Sequence, residues 1–205
     1  MKSSISKLLV LFSLSAGLTF GALADPVVGK EAPLFEGTTS GGATISLEDF
    51  RGKPVMLEWT NHECPYVKKH YNSGNMQRTQ AALTEDGVTW ISVISSAPGQ
   101  QGYVSADEAN DLSESRGVYA DYIVLDPDGT IGKLYKAKTT PHMFLIDADG
   151  TLQYMGAIDD QPSARESSLE GAKNYALAAW EALKAGETIA ETSTKPYGCS
   201  VKYAD

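Results

Sequence analysis

The segment Pro54–Thr60 (PVMLEWT) runs directly into Asn61–Pro65 (NHECP), and this junction is the most informative stretch for the fold. The first segment is short and apolar, a pattern typical of a buried β-strand. Pro65 suits the first position of a helix, because its missing backbone N–H would have no partner there anyway. The junction therefore predicts a buried strand followed at once by a helix, with Cys64 at the N terminus of that helix.

Strand-like and helix-like segments alternate on both sides of this junction. The helical pattern after Pro65 is interrupted at Asn72–Asn75 and then continues to Thr84, while Ser105 and Glu108 form a capping box at the start of another helix. Alternating strands and helices, followed by a hairpin and a last helix, predict an α/β domain with a mixed central sheet. The other expected elements are a hairpin at 33–45, strands at 88–95 and 122–125, a short helix at 131–135, a hairpin at 143–157 and a helix at 163–185.

Composition narrows the functions open to this chain of 205 residues. With 42% hydrophobic and 21% charged residues, it has the balance of a globular protein and not that of a disordered one. The formal net charge of −9 argues against nucleic acid as a partner, because binding to phosphates relies on clustered positive charge. Two cysteines, Cys64 and Cys199, are too few for a disulfide-rich scaffold or a four-thiolate zinc site. They can form one disulfide, a reactive thiol with a partner, or two unrelated thiols.

The first 24 residues have the pattern of a secretory signal peptide. Lys2 and Lys7 form a basic start, residues 8–23 are apolar, and residues 22–24 (Ala-Leu-Ala) fit the small-x-small rule for cleavage. The apolar run is shorter than the ~20 residues needed to span a bilayer, so cleavage after Ala24 is favoured over a membrane anchor. We therefore expect a periplasmic or secreted protein with no stable membrane span after processing, in a compartment where disulfides persist.

Cys64 is the better placed of the two cysteines for thiol chemistry. The N terminus of a helix carries partial positive charge and free N–H groups, and both stabilise a thiolate and lower the pKa of a cysteine there. Lys68, four residues further on, would strengthen this effect, whereas the adjacent Glu63 would oppose it. The position therefore favours a reactive cysteine over an inert buried one.

Several segments of the chain resemble thioredoxin-fold redoxins, the superfamily that includes peroxiredoxins of the AhpC/TSA type and exported thioredoxin-like reductases. The resemblance rests on residues 28–35 (VGKEAPLF), 46–55 (SLEDFRGKPV) and 139–141 (TTP). It implies a thioredoxin-like fold, with a mixed central sheet flanked by helices, an N-terminal hairpin extension and a C-terminal tail.

The same resemblance implies a division of the chain and a substrate edge. We expect a signal peptide at 1–24, a redoxin domain at 25–186 and a tail at 187–205 that carries Cys199. The 139–141 segment looks like the cis-proline loop that faces the active cysteine in this superfamily. The residues implied in substrate binding are Pro65 beside the cysteine and Thr140, Pro141 and His142 on the loop.

Cys64 has no second thiol in its neighbourhood along the chain. Thioredoxins carry a second cysteine three residues away, but Asn61 and Val67 occupy those positions here. Peroxiredoxins place a threonine three residues and a proline seven residues before the reactive cysteine, where this chain has Asn61 and Leu57. Cys199 is then the only internal candidate for resolving an oxidised Cys64, an arrangement also known among peroxiredoxins. A permanent structural disulfide and pairing across a dimer are the alternatives.

Glu58 lies six residues before Cys64, where thioredoxins carry a buried acid. If it is buried, its pKa rises and it can take a proton from the Cys64 thiol, which would make it part of the catalytic set. The alternative is a side chain that points to a polar edge.

The histidines suggest a second kind of site. His62 precedes Cys64 by two residues and His142 follows the expected cis-proline, so Cys64, His62 and His142 could together bind copper or zinc. Otherwise the two histidines tune the thiol or shape the groove, and no metal or other cofactor is implied. His70 is expected to point elsewhere, because six residues place it on another side of the helix.

The combined patterns predict an exported thiol oxidoreductase with Cys64 as nucleophile. Its substrate would be a peroxide, or a protein or small-molecule disulfide, and an unknown thiol would act as reductant. Two other functions stay open: a non-catalytic module that binds copper or a partner protein, and a redoxin fold in which the Cys64–Cys199 bond is purely structural.

Overall fold

The computed structural model describes residues 25–204, so the expected signal peptide and its cleavage site lie outside the described residues. Within this range, no helix is long and apolar enough to cross a membrane. The strands are β1 (Glu36–Thr39), β2 (Thr44–Ser46), β3 (Val55–Trp59), β4 (Thr89–Ile94), β5 (Tyr122–Leu125), β6 (Thr139–Thr140), β7 (His142–Ile146), β8 (Leu152–Gly156) and β9 (Cys199–Ser200). The α-helices are α1 (Pro65–Asn72), α2 (Asn75–Glu85), α3 (Ala106–Arg116), α4 (Thr130–Leu134) and α5 (Tyr175–Ala185).

Seven of the strands form one mixed sheet in the order β2-β1-β5-β4-β3-β7-β8. Strand β3 pairs with β4 in parallel and with β7 in antiparallel orientation, so it lies inside the sheet. The remaining strands, β6 and β9, pair only with each other. This architecture confirms the predicted α/β class and the thioredoxin-like fold, including the N-terminal hairpin of β1 and β2.

Strand β3 is buried along its whole length because both faces of the sheet are covered. Val55, Leu57 and Trp59 point into one apolar core, which also contains residues of the N-terminal hairpin and of α4. Met56 points into the opposite core, formed with residues of α1, α2 and α5. The alternation follows from the two-residue period of a strand, and it places Glu58 on the same face as Met56.

The helix boundaries near the junction agree with the sequence signals. Helix α1 begins at Pro65, and the chain breaks after Asn72 because Gly74 adopts a left-handed conformation with φ of 71°. Ser105 and Glu108 form the predicted capping box at the start of α3. These local features could be predicted because each depends on residues within a few positions of one another.

The last helix begins later than its sequence pattern predicts. We expected a helix at 163–185, but α5 starts at Tyr175, where the Asn174 side chain accepts a hydrogen bond from the Leu177 N–H. The preceding segment contains only a short 3₁₀ turn at Glu166–Leu169, and Gly171 has a left-handed φ of 71° that ends helical continuity. The tail, which has no periodicity in the sequence, supplies the short strand β9.

Candidate active site

Cys64 occupies the N-cap position of α1, directly after the loop that follows β3. Its side chain is fully buried, and its thiol donates a hydrogen bond to the Thr140 carbonyl oxygen, with a sulfur–oxygen distance of 3.2 Å. Pro65 is exposed beside it. The strand–helix junction therefore brings Cys64 against the loop that the sequence resemblance assigns to substrate binding.

That loop has the expected backbone. The Thr140–Pro141 peptide bond is cis, and Thr140 and Pro141 are both buried. Thr140 lies on β6 and pairs in antiparallel orientation with Cys199 on β9. The chain's own tail thus occupies the edge that the sequence resemblance assigns to substrate binding.

Gly198 explains how the tail approaches so closely. Its φ of 140° lies in a region that residues with a side chain rarely adopt, and a Cβ atom there would clash with the Thr140 carbonyl group. Glycine therefore allows the backbone before Cys199 to lie directly on the cis-proline loop.

Both cysteines are free thiols and both lie against Thr140 at this edge. Burial raises the pKa of Cys64, but hydrogen bonds from the Cys199 side chain, the Val67 backbone and the Cys199 backbone outweigh it and bring the net pKa below the ordinary value. Burial and the neighbouring Cys64 raise the pKa of Cys199 to about 11. When Cys64 loses the proton that it donates to the Thr140 carbonyl, the resulting thiolate accepts hydrogen bonds, among them one from the neutral Cys199 thiol.

The charged neighbours of Cys64 contribute less than the sequence suggests. Lys68 is exposed and is not among the groups that lower the Cys64 pKa. The Glu63 carboxylate accepts a hydrogen bond from the Gly102 N–H at 2.6 Å, so it is held in the adjacent loop. Hydrogen-bond donors at the helix N terminus and on the tail, not lysine charge, stabilise the thiolate.

Glu58 is buried, which removes the alternative of a side chain on a polar edge. Burial raises its pKa, although four hydrogen-bond donors around the carboxylate oppose this rise. The donors are the Tyr71 hydroxyl, the Gln80 amide, the Trp90 indole and the Ser92 hydroxyl. Among the hydrogen bonds of residues 25–204, none joins Glu58 to Cys64, so direct proton transfer between them is not set up here.

The histidines do not assemble the metal site considered above. The His142 ring packs on Phe144 with 4.4 Å between ring centroids, its Nδ1 accepts a hydrogen bond from the Lys138 N–H, and burial lowers its pKa to about 3. His62 is only half-buried. In the part of the chain that the structure describes, no three His, Cys, Asp or Glu side chains are grouped so that they could hold a metal ion. The Cys64, His62 and His142 set is therefore not formed.

Comparison with known proteins identifies the family to which this geometry belongs. The profile of the AhpC/TSA family matches residues 28–155, more than half of the chain. The chain belongs to the AhpC/TSA family. Its relatives within the wider group of redoxins include both thiol–disulfide oxidoreductases and peroxiredoxins.

Two relatives and one solved structure illustrate this range. "Thiol-disulfide oxidoreductase ResA" of Bacillus thuringiensis subsp. konkukian is 31% identical over 126 residues, which cover 60% of this chain and 65% of ResA. "Putative peroxiredoxin bcp" of Coxiella burnetii is 29% identical over 136 residues, which cover 61% of this chain and 84% of that protein. This chain is also similar to the crystal structure of an uncharacterized conserved protein from Geobacillus kaustophilus, with a TM-score of 0.71 and 26% sequence identity. The superposition covers 87% of this chain and 93% of the Geobacillus protein. The structural likeness thus extends beyond the AhpC/TSA match.

Two positions distinguish this AhpC/TSA protein from the patterns expected around its cysteine. The Asn61 side chain is buried and binds the neighbouring loop: its amide donates to the Gln101 carbonyl at 3.1 Å and its oxygen accepts from the Glu63 N–H at 2.9 Å. Val67 is fully buried in the apolar core. Neither position supplies a second thiol, and Cys199 is the sulfur that the fold brings to Cys64.

Sequence reasoning missed a polar cluster beneath the tail. His70 joins Lys69, Asp159 and the tail residue Tyr197 in one hydrogen-bonded group. A charged residue such as Lys69 at a buried helix position has no distinguishing mark in the sequence. Its partners lie 90 or more positions further along the chain, and only the fold brings them together.

Proposed function

We propose that this AhpC/TSA protein is a two-cysteine thiol oxidoreductase in which Cys64 attacks the substrate and Cys199 resolves it. The observation that carries the proposal is that both free cysteines flank Thr140: Cys64 Sγ lies 3.2 Å from the Thr140 carbonyl oxygen, and Cys199 pairs with Thr140 across β6 and β9. The lowered pKa of Cys64 and the raised pKa of Cys199 agree with this placement. A thiolate beside a neutral thiol is the starting state for forming a disulfide between them once the first sulfur is oxidised. Glu58 makes no hydrogen bond to Cys64 among the described residues, so its part as a proton acceptor stays a prediction.

The first substrate we propose is a hydroperoxide. The Cys64 thiolate attacks the terminal peroxide oxygen, the O–O bond breaks, and the alkoxide or hydroxide that leaves takes up a proton. Cys64 is then a sulfenic acid. The Cys199 thiol condenses with it, which forms the disulfide and releases water. A thiol reductant, two equivalents of a monothiol or one of a dithiol, returns both cysteines to the reduced state and becomes a disulfide itself.

Thiol–disulfide exchange is the second candidate, and one observation favours it. The antiparallel pairing of Cys199 with Thr140 is the pairing that an extended, cysteine-bearing substrate would make at the cis-proline loop. In this reaction the Cys64 thiolate breaks a substrate disulfide, and Cys199 then displaces the second substrate thiolate. The names of the ResA and bcp relatives are compatible with one candidate each.

We also propose that the protein works outside the cytoplasm. The basic start, apolar run and Ala-Leu-Ala site in residues 1–24 support export. An oxidising compartment would suit a cysteine pair that cycles through a disulfide.

A single-turnover experiment tests the proposal and separates its two branches. The reduced protein, Cys64→Ser and Cys199→Ser are each treated with one equivalent of hydrogen peroxide or of oxidised glutathione, and the cysteines are then mapped by mass spectrometry. We expect the wild type to form a Cys64–Cys199 disulfide, and Cys199→Ser to accumulate Cys64 carrying oxygen or glutathione. The oxidant that reacts faster identifies the branch.

Two results would contradict the proposal. Identical reactions of the wild type and Cys64→Ser with both oxidants would remove Cys64 from the chemistry. A Cys64–Cys199 disulfide that resists mild thiol reductants and whose reduction costs ~2–5 kcal/mol of stability would instead indicate a structural bond.

A further inference from the structure

Lys69, His70 and Asp159 form a buried polar cluster that the proposed thiol chemistry does not use. The side chains of Lys69 and His70 are 0% exposed, and that of Asp159 is 1% exposed. Lys69 Nζ lies 3.5 Å from Asp159 Oδ2 and donates to the Gln161 carbonyl at 2.9 Å. Burying such groups is costly unless each has polar partners, so the remaining partners of the cluster indicate what it holds in place.

The remaining partner comes from the tail. The Tyr197 hydroxyl donates a hydrogen bond to Asp159 Oδ1 and accepts one from Lys69 Nζ at 3.0 Å. The Asn75 amide donates to His70 Nδ1 at 2.8 Å, which leaves His70 Nε2 as the nitrogen that donates to the Tyr197 oxygen, at 3.2 Å. One phenol oxygen therefore takes part in three hydrogen bonds, two of them to charged groups, which are stronger than neutral ones.

The aromatic ring of Tyr197 is also held. It packs edge-on against Tyr66 of α1, with 5.7 Å between ring centroids, and Lys69 Nζ lies 5.0 Å from the centre of the ring. Tyr197 precedes Cys199 by only two residues, and Gly198 between them lies on the Thr140 carbonyl. Fixing Tyr197 thus restrains the backbone that carries Cys199.

We propose that Tyr197 is the positioning residue that holds the tail closed, so that Cys199 stays in contact with Cys64. The proposal rests on the proposed function, since it assigns a cause to the closeness of the two thiols. It carries a second consequence: the same closed tail covers Cys64, which is fully buried. Loosening the tail would therefore have opposite effects, a weaker Cys64–Cys199 disulfide and a more accessible Cys64.

A second tail contact provides a comparison. The Tyr203 hydroxyl, on the other side of Cys199, donates one neutral hydrogen bond to the Ala137 carbonyl at 2.8 Å. Because this contact involves no charged group, its loss should loosen the tail less than loss of the Tyr197 hydroxyl.

The test compares Tyr197→Phe, Tyr203→Phe and the exposed-surface control Tyr119→Phe with the wild type. Glutathione redox buffers give the equilibrium constant for the Cys64–Cys199 disulfide, and alkylation by iodoacetamide in a Cys199→Ser background gives the accessibility of Cys64. For Tyr197→Phe we expect a disulfide weakened about tenfold and faster alkylation of Cys64. Tyr203→Phe should shift both quantities less, and Tyr119→Phe should shift neither. Asp159→Asn, which keeps the shape of the acceptor but removes its charge, should shift them in the same direction as Tyr197→Phe.

The outcomes are separable from those of the proposed function. The assignment of Tyr197 would be overturned if Tyr197→Phe and Asp159→Asn left both the disulfide equilibrium constant and the alkylation rate of Cys64 unchanged. It would also be overturned if Tyr203→Phe changed these two quantities more than Tyr197→Phe does. A weaker disulfide with slower alkylation of Cys64 would also overturn it, because a loosened tail should uncover the thiol. If Tyr197→Phe weakens the disulfide as expected but neither peroxide nor disulfide substrates are turned over, the proposed function fails and the positioning role stands.

Discussion

Thr140 and Cys199 lie opposite each other in a short antiparallel pair, so the strand that carries the second cysteine binds the residue before the cis-proline. The Thr140 carbonyl oxygen also accepts the hydrogen bond of the Cys64 thiol. One residue of the substrate edge thus contacts both cysteines. This relationship makes the tail an internal ligand of the site, and it leads to predictions for the thiols and for the residues around them.

The first prediction concerns the ionisation of Cys64. In the wild type, thiolate absorbance should titrate with a midpoint below that of a free cysteine, because hydrogen bonds to the thiolate outweigh its burial. In Cys199→Ala the side-chain donor to the Cys64 sulfur is removed, so the midpoint should rise. Cys64→Ser serves as the control, since it leaves only Cys199, which titrates at higher pH. A midpoint for Cys64 above the free-cysteine value in the wild type would contradict the hydrogen-bonded thiolate.

The second prediction concerns Gly198. Gly198→Ala should displace the tail, because a Cβ atom would meet the Thr140 carbonyl and the backbone conformation is unfavourable for alanine. We expect slower disulfide formation after one equivalent of oxidant, measured by quenched mass mapping. Gly41→Ala is the matched control, since its Cβ would make only an ordinary contact with Thr39. Equal rates in the two variants would mean that the close approach at Gly198 does not position Cys199.

The third prediction concerns the pH dependence of stability. Burial raises the pKa of Glu58 in the folded state, so the folded protein binds a proton at Glu58 more readily than the unfolded chain does. Its contribution is fully present below the unfolded pKa of about 4.3 and is lost as the pH rises through the folded pKa. The free energy of unfolding of the wild type, relative to Glu58→Gln, should therefore decrease with rising pH, by at most about 1.4 kcal/mol per pH unit.

Chemical denaturation at several pH values provides this measurement. Glu58→Gln supplies the reference because it keeps the size of the side chain and does not titrate. If the free energy of unfolding of the wild type, relative to that of Glu58→Gln, increased with rising pH, the raised pKa of Glu58 would be contradicted.

The fourth prediction compares two neighbouring threonines of the cis-proline loop. The Thr140 hydroxyl is buried and makes no hydrogen bond to a nitrogen or oxygen atom of the described residues, while its interaction with the Cys64 sulfur lowers the pKa of that thiol, so Thr140→Val should keep the free energy of unfolding within about 1 kcal/mol of the wild type. The Thr139 hydroxyl donates to the Pro141 carbonyl at 3.2 Å, so Thr139→Val should lower it by about 1 kcal/mol. Denaturant unfolding of both variants gives the two values, and the reverse order would show that the Thr140 hydroxyl has a stabilising role.

The local parts of the structure could be predicted from neighbouring residues. The apolar segment before Cys64, Pro65 at the start of α1 and the capping box of Ser105 each encode their structure within a few positions, through strand burial, a fixed φ angle and paired backbone donors. The same information located Cys64 at a helix N terminus. It was insufficient at 163–174, where Gly171 and the Asn174 cap end a helical pattern that the apolar spacing alone extends too far.

The arrangement of the site depends on contacts between distant residues, which no local pattern encodes. Cys64 and Cys199 are 135 positions apart, and the position of the tail is set by Gly198 on the Thr140 carbonyl and by Tyr197 in a buried polar cluster. The environment of Glu58 likewise comes from hydrogen-bond donors on three other elements. Its burial could be suspected from the sequence, but the lack of a hydrogen bond to Cys64 among the described residues could not. The sequence identified which thiol could react, because the helix terminus that activates it is local. Packing alone determined which group that thiol meets, because the free energy of docking the tail is spread over residues that only the completed fold brings together.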